Sequence, residues 1–433
     1  MNTIVQTKYG KIEGTKGTDS VIFKGVPYAM PPVGELRWQA AKPLESWEGI
    51  YPAVNWPPMA PQSGQEEGSF YHKEFYAVPE YMPEQSEDCL YLNIWAPKAG
   101  EGPFPVAIWY HGGGYVSGFC SELEFDGEAY AKRGVILVTV GYRLGMLGFF
   151  AHPLLHERDG HSGNYGLLDQ IAAIDWVREN IAAFGGNPEL ITIMGQSAGA
   201  LSVRTLISSP LVKGKVQRAI IQSGGGYKSP LPANTLPMEK MEIAFARALE
   251  SQGLTLDDLY KKSAQEIVAL QRMIWQSVAE ATGLILIYCP QVDGFSLLKT
   301  CDQILEDGEV PCIPYLIGSN QQDLMKEDLD YAGQPLHMSN VGFCQLQPDN
   351  PNMYVYSFRR HMPGDDEGAF HSAELWYMFG TLGRCWRPLT EADRKLSEEM
   401  LSAWTDFIKT GNPGWEPYRN DKPVVKEFAI HCL

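Results

Sequence analysis

Ser197 stands in Gly195-Gln196-Ser197-Ala198-Gly199, after an apolar, β-branched run, Leu190-Ile191-Thr192-Ile193-Met194. Behind it, Leu201, Thr205 and Leu206 fall at helical spacing. A strand, a Gly-x-Ser-x-Gly turn and a helix are the setting that lifts a serine hydroxyl to the tip of a sharp bend as a nucleophile. The flanking glycines let the chain reverse where a Cβ would clash. The helix that opens there turns its positive amino end toward the serine, which favours the negative charge that develops when a hydroxyl attacks a carbonyl. An ordinary turn is the competing reading in a chain with 43 glycines, and it weakens only if the other parts of an acyl-transfer site are present.

Those parts can be found. The buried-strand pattern Phe104-Pro105-Val106-Ala107-Ile108-Trp109-Tyr110 runs into His111-Gly112-Gly113-Gly114-Tyr115. Consecutive glycines after a strand expose backbone N–H groups with no side chains in the way, as a pocket for an oxyanion requires. A phosphate cradle would need Lys-Ser/Thr after the glycines, and none follows. For the acid, Asp323 comes a few residues after the apolar run Cys312–Gly318, which places it at the carboxyl edge of a parallel sheet, the same edge as Ser197. Asp328 and Asp330 compete from a more solvated stretch. For the base, His371 sits in Ala369-Phe370-His371-Ser372-Ala373-Glu374-Leu375-Trp376, an apolar setting that can shield an imidazole, whereas His361 follows Arg359-Arg360 and reads as exposed. The order Ser…Asp…His is one in which such triads occur. Ser223 also ends a strand but lacks the glycine two places before it, and reads as structural.

These residues need elements to hold them. Strand patterns at Glu87–Pro97, Phe104–Tyr110, Gly134–Val140, Leu190–Met194, Arg218–Gln222, Cys312–Gly318 and Met353–Phe358 alternate with helical ones, which predicts an α/β fold with a mostly parallel sheet. Leu167, Leu168, Ile171, Ile174, Val177 and Ile181 form an apolar helical stripe, on which Asp169 and Asp175 read as solvated or structurally bonded. Pro237–Ala281 carries helical signal and no strand signal, and predicts a helical cap lying on the sheet and shaping the pocket. Tyr9–Trp47 reads as a meander of short strands at one edge. Asn55–Gln85 reads as a long surface loop that could cover the site. Leu389–Thr410 predicts an amphipathic helix packed on the sheet. All 433 residues are read as one domain.

Composition bounds the function. A net charge of -17 argues against nucleic acid or an anionic membrane surface as partner, and no apolar run approaches the roughly 20 residues that span a bilayer. The amino-terminal stretch has no basic segment followed by an apolar one, so no signal peptide is expected. The eight cysteines (Cys89, Cys120, Cys289, Cys301, Cys312, Cys344, Cys385, Cys432) show neither Cys-x-x-Cys nor metal-ligand spacing. Reduced, mostly buried thiols, a cytoplasmic location and no metal site are the expectation.

Together these residues resemble the type-B carboxylesterase family of α/β-hydrolases, the cholinesterase and para-nitrobenzyl esterase group. The likeness runs from Phe23-Lys24-Gly25-Val26-Pro27-Tyr28-Ala29 to Phe407-Ile408-Lys409-Thr410-Gly411-Asn412-Pro413. It is most specific at Glu87–Pro97, His111–Tyr115, Gly163–Gln170 and the Ser197 turn. The resemblance implies hydrolysis of small-molecule carboxylic esters through an acyl-enzyme, with no cofactor. Ser197 would be nucleophile, His371 general base and Asp323 the acid, with oxyanion donors from Gly113, Gly114 and Ala198. An amidase or feruloyl-type esterase on the same scaffold, or a catalytically dead adhesion relative, are the alternatives, and the oligomeric state is left open.

Four features depart from that family. Its usual acid is Glu, one methylene longer than Asp323. Gln196 replaces a common Glu and removes a charge beside the serine, which disfavours quaternary-ammonium esters. Cys89 lacks its disulfide partner because Ala60 stands there. The interval of 48 residues from Asp323 to His371 is short, which predicts a more open site.

Overall fold

Runs of Val, Ile, Leu and aromatic residues bounded by glycine and proline form strands because such side chains fit a pleated, buried surface. In the computed structural model, which describes residues 2–231, 233–324 and 333–430, they build two sheets. The smaller has β1 (Ile4–Gln6), β2 (Lys11–Glu13) and β5 (Ile50–Pro52). The larger holds β3 (Thr15–Lys16), β4 (Ser20–Pro27), β6 (Tyr91–Pro97), β7 (Phe104–Tyr110), β8 (Ile136–Val140), β9 (Gly186–Gln196), β10 (Arg218–Gln222), β11 (Tyr315–Asn320), β12 (Met353–Phe358) and β13 (Val425–Phe428). Its order is β13-β12-β11-β10-β9-β7-β8-β6-β4-β3. From β8 to β13 every pairing is parallel, and β6, β4 and β3 add antiparallel strands at one edge. This is the mostly parallel α/β architecture the sequence predicts.

Alternation along the central strands divides the core into two layers. Val106, Ile108 and Tyr110 of β7 face one layer with Ile136, Val138, Ile191 and Ile193. Ala107 and Trp109 face the other with Leu137, Met194 and Ile220. The helices Tyr165–Asn180 and Ala198–Ser208 fill the first layer, and Glu391–Thr410 covers the second with Trp404 and Phe407. The Tyr165–Asn180 helix is buried on most of its circumference, not only along the expected stripe. Asp169 is structurally bonded there: Arg143 Nη2 and Nε donate to its two oxygens at 2.6 and 2.8 Å, both side chains buried. Asp175 pairs with Lys215 at 2.5 Å.

Three details differ from the sequence expectation. β11 begins at Tyr315 because Pro314, just before it, has no N–H to give a ladder. β13 is a strand that hydrophobic pattern alone does not reveal; Val-Lys-Glu-Phe is short and charged, as suits an edge that must not recruit another sheet. The Asn55–Gln85 segment is mostly irregular but carries a wide, π-helical turn at His72–Tyr76. Glu74 in that turn is buried, and it accepts from Trp376 Nε1 at 2.9 Å, Trp386 Nε1 at 2.7 Å and Arg387 Nε at 3.0 Å. Arg387 in turn reaches Asp365 at 2.8 Å.

The stretch expected to form a cap is helical, at Met238–Ser251, Leu256–Tyr260 and Ala264–Thr282, the last two opened by capping boxes on Thr255 and Ser263. Among the described residues, no helix is long and apolar enough to cross a membrane.

Candidate active site

β9 ends at Gln196, and the Ala198–Ser208 helix begins at once, so Ser197 must carry the whole reversal. It does so with φ 58° and ψ -124°, an unfavourable backbone for a residue with a Cβ. The bend closes only because its neighbours are glycines. A Cβ on Gly199 would lie 2.0 Å from the Tyr110 carbonyl oxygen, and one on Gly195 would lie 2.5 Å from the backbone of Gly199. The Ser197 N–H is tied to the Gln222 carbonyl at 2.9 Å, which anchors the turn to β10.

The glycine loop after β7 lies against this bend. A Cβ on Gly112 would come within 3.2 Å of the Ser197 Cβ, so the loop backbone approaches the serine as closely as glycine permits. Gly113, at φ 96°, has the Ser117 carbonyl oxygen 2.1 Å from where a Cβ would be, and Gly114 follows at φ 61°. The N–H groups of Val116 and Ser117 both close onto the Gly113 carbonyl at 3.0 Å. His111 stacks on Tyr142 at 4.4 Å, and Tyr142 Oη donates to the His111 carbonyl at 2.9 Å. Burial lowers the His111 pKa to about 4, so this imidazole is a neutral strut. Ala198, the first residue of the helix, brings its free N–H to the same corner.

His371 and Asp323 reach the corner from other strands. Asp323 lies three residues beyond β11, where its Oδ2 accepts from the Asn320 N–H at 2.9 Å. Its Oδ1 bonds His371 Nδ1. The Asp323 side chain is 1% exposed and that of His371 is 11% exposed. Burial opposes the imidazolium, but the Asp323 carboxylate, its hydrogen bond and Glu374 outweigh that and raise the His371 pKa. With Nδ1–H given to Asp323, Nε2 is left as acceptor, and Gln196 Nε2 approaches it at 3.2 Å. The imidazole is therefore held in the tautomer a general base needs.

Of the residues singled out in the sequence, Gly113 and His371 line one cavity with Ser197, Asp323 bonds His371, Ala198 follows Ser197 directly, and Gly114 follows Gly113 in the glycine loop. His361 is exposed, as expected, and Asp328 and Asp330 lie outside the described residues, as does Cys432. Ser223 is fully buried just after β10, bonded through its N–H to the Gly318 carbonyl at 2.8 Å. The described cysteines are all free thiols, five of them buried.

Sequence reasoning missed Glu374. It is buried behind the pair, and Asn320 Nδ2 donates to it at 2.5 Å and Gln222 Nε2 at 3.4 Å. Burial, then the Asp323 charge, raise its pKa to about 7. A glutamate inside the aromatic run Phe370–Tyr377 was the available signal.

A cavity of about 330 Å³ opens on Ser197 and His371, large enough for a small organic group. The Asn55–Gln85 segment supplies Gln65, Tyr71, Phe75 and Tyr76 to its wall, so the loop does cover the site. None of its lining comes from the helices at 238–282. Gln271, Arg272 and Trp275 border instead an adjoining opening of about 840 Å³, which shares Gln65 and Ser117 with the inner cavity. The cap thus bounds the outer mouth rather than the inner pocket.

Comparison with known proteins agrees with this architecture. The model of the carboxylesterase family matches residues 1–334 and 336–427. The para-nitrobenzyl esterase of Bacillus subtilis (strain 168) is 33% identical over 463 residues, which cover 95% of this chain and 91% of that one. The fumonisin B1 esterase of Sphingopyxis macrogoltabida is 38% identical over 329 residues, 73% of this chain and 55% of its own. Among solved structures, a thermophilic para-nitrobenzyl esterase superposes with a TM-score of 0.86 at 31% identity, covering 99% of this chain and 96% of that one.

Proposed function

The chain belongs to the carboxylesterase family, with the α/β-hydrolase fold, and is a carboxylic ester hydrolase; from that premise we propose that Ser197, His371 and Asp323 carry its reaction. Ser197 Oγ attacks the ester carbonyl as His371 Nε2 takes its proton. The tetrahedral oxyanion is held by the N–H groups of Gly113, Gly114 and Ala198, fixed backbone donors of the kind that stabilise charge as it develops. His371 returns the proton to the leaving alcohol, then draws one from a water that attacks the acyl-enzyme. Asp323 holds the tautomer and stabilises the imidazolium. The step uses no cofactor, and the substrates are small-molecule esters.

The observation that carries this reading is the bond between His371 Nδ1 and Asp323 beside a serine held at φ 58°. Three chain segments meet there at the carboxyl edge of one sheet, and a purely structural serine needs no such company. A reducing, cytoplasmic setting suits the free, mostly buried thiols.

The test is release of p-nitrophenol from acetate, butyrate and octanoate esters by the parent and by Ser197→Ala. The variant should fold normally and lose roughly 10⁴-fold or more in kcat. Substantial turnover by the variant would assign the nucleophile elsewhere, and the chain-length preference sizes the acyl pocket.

A further inference from the structure

His371 is bonded at both ring nitrogens. Asp323 holds Nδ1, and Gln196 Nε2 stands 3.2 Å from His371 Nε2, the nitrogen that must receive the Ser197 proton. With the ring proton on Nδ1, Nε2 offers one in-plane lone pair, so the amide can meet it only as a donor. A carbonyl or carboxylate oxygen in that place would set lone pair against lone pair. The amide is firmly seated: Gln196 is 2% exposed, and its Oε1 lies 3.1 Å from where a Cβ on Gly112 would be. Among the described residues, Gln196 alone bonds Nε2, and no hydrogen bond joins Ser197 Oγ to the ring.

One lone pair accepts one well-aligned donor. While Gln196 holds it, the Ser197 hydroxyl is not aimed at its base, and the two donors must exchange before a proton can move. A neutral hydrogen bond of ordinary net strength corresponds to a factor of about five in that exchange, small enough for substrate binding to reverse. The charged groups that act on the ring are Asp323 and Glu374. The Tyr71 hydroxyl meets the His371 backbone carbonyl, and Glu122 and Glu124 stand in the same cavity wall.

We propose that Gln196 is a positioning residue that caps the general base. In the empty site it donates to His371 Nε2, and it yields that place to Ser197 Oγ when an ester fills the cavity. The proposal rests on Ser197, His371 and Asp323 acting as the triad, and it adds a resting state to that triad.

The test is the pH profile of kcat/KM for p-nitrophenyl butyrate in the parent and in Gln196→Met, which keeps the length of the side chain and removes its N–H. On the plateau above the acid limb, kcat/KM should rise by about fivefold, because no donor has to be displaced. The limb itself should move up by about half a pH unit, because the neutral ring loses the bond that favoured it. If Gln196 only packed against the triad, its loss would loosen His371 from Asp323. The plateau would then fall and the limb would move down, the direction expected when the carboxylate is lost. A plateau that fails to rise in the folded variant, or a limb that fails to move up, overturns the proposal. Gln196→Ala removes the same donor and serves if the first variant does not fold. Turnover that survives Ser197→Ala would instead remove the nucleophile, and the cap with it.

Discussion

His371 is held at one ring nitrogen by Asp323, and in the proposed mechanism the other takes a proton. Replacing Asp323 by Asn leaves a group of the same size that can present its N–H to Nδ1 and favour the wrong tautomer. Asp323→Asn is expected to reduce kcat by about 10⁴-fold with the fold preserved. The pH profile supplies the sign. Asp323 raises the His371 pKa, and the proposed mechanism requires the neutral ring, so the acid limb of kcat/KM in the parent is expected above the ordinary histidine value. Without the carboxylate that limb should move to lower pH; a limb that stays put would mean that another group sets it. Ser197 and His371 were legible because each carries a local signal, glycines around one and apolar neighbours around the other. The shorter Asp323 reaches its partner from just beyond β11, braced by the Asn320 N–H. Glu374 was not legible as an unusual acid, because what distinguishes it is burial beside Asn320 and Gln222, far away in the chain.

At the level of elements, the site depends on a turn that the sequence marks only as loop. Tyr71, Phe75 and Tyr76 wall the pocket, and Glu74 between them is pinned to Arg387, Trp376 and Trp386. The Arg387 and Glu74 side chains are at most 1% exposed, so this ion pair is fully desolvated. Removing one partner from such a pair strands a buried charge and costs about 3–5 kcal/mol. Arg387→Met should therefore lower Tm, seen by thermal denaturation, and raise KM as the wall loosens. The double variant with Glu74→Gln should recover part of the stability, and additive losses would show that the two residues are not coupled. Glu74 falls in a stretch that reads as surface loop in sequence, since pairing with Arg387 across some 300 positions leaves no local periodicity. The Ser197 bend is the opposite case: Gly195 and Gly199 announce it within five residues, and the Tyr110 carbonyl is the physical reason.

Over the whole molecule, the sheet was legible because its central strands are buried on both faces and read as continuous apolar runs. The edges were harder. β13, at one edge, is short and charged and its pattern predicts no strand, while β11, inside the sheet, starts late behind Pro314. The helices at 238–282 were legible as helices, but their place at the outer mouth comes from packing that no single segment encodes. What the fold accomplishes is convergence: the ends of β7, β9 and β11 and the segment after β12 bring glycine N–H groups, serine, acid and base to one edge. The central claim is that this convergence forms an acyl-enzyme on Ser197. The most direct measurement is a rapid-mixing experiment with p-nitrophenyl butyrate, quenched in acid and followed by mass spectrometry of the proteolysed chain. A burst of p-nitrophenol approaching one equivalent per chain, with a butyryl group on the peptide containing Ser197, is the expected result. Turnover with a butyryl group on any other residue, and none on Ser197, would contradict the account.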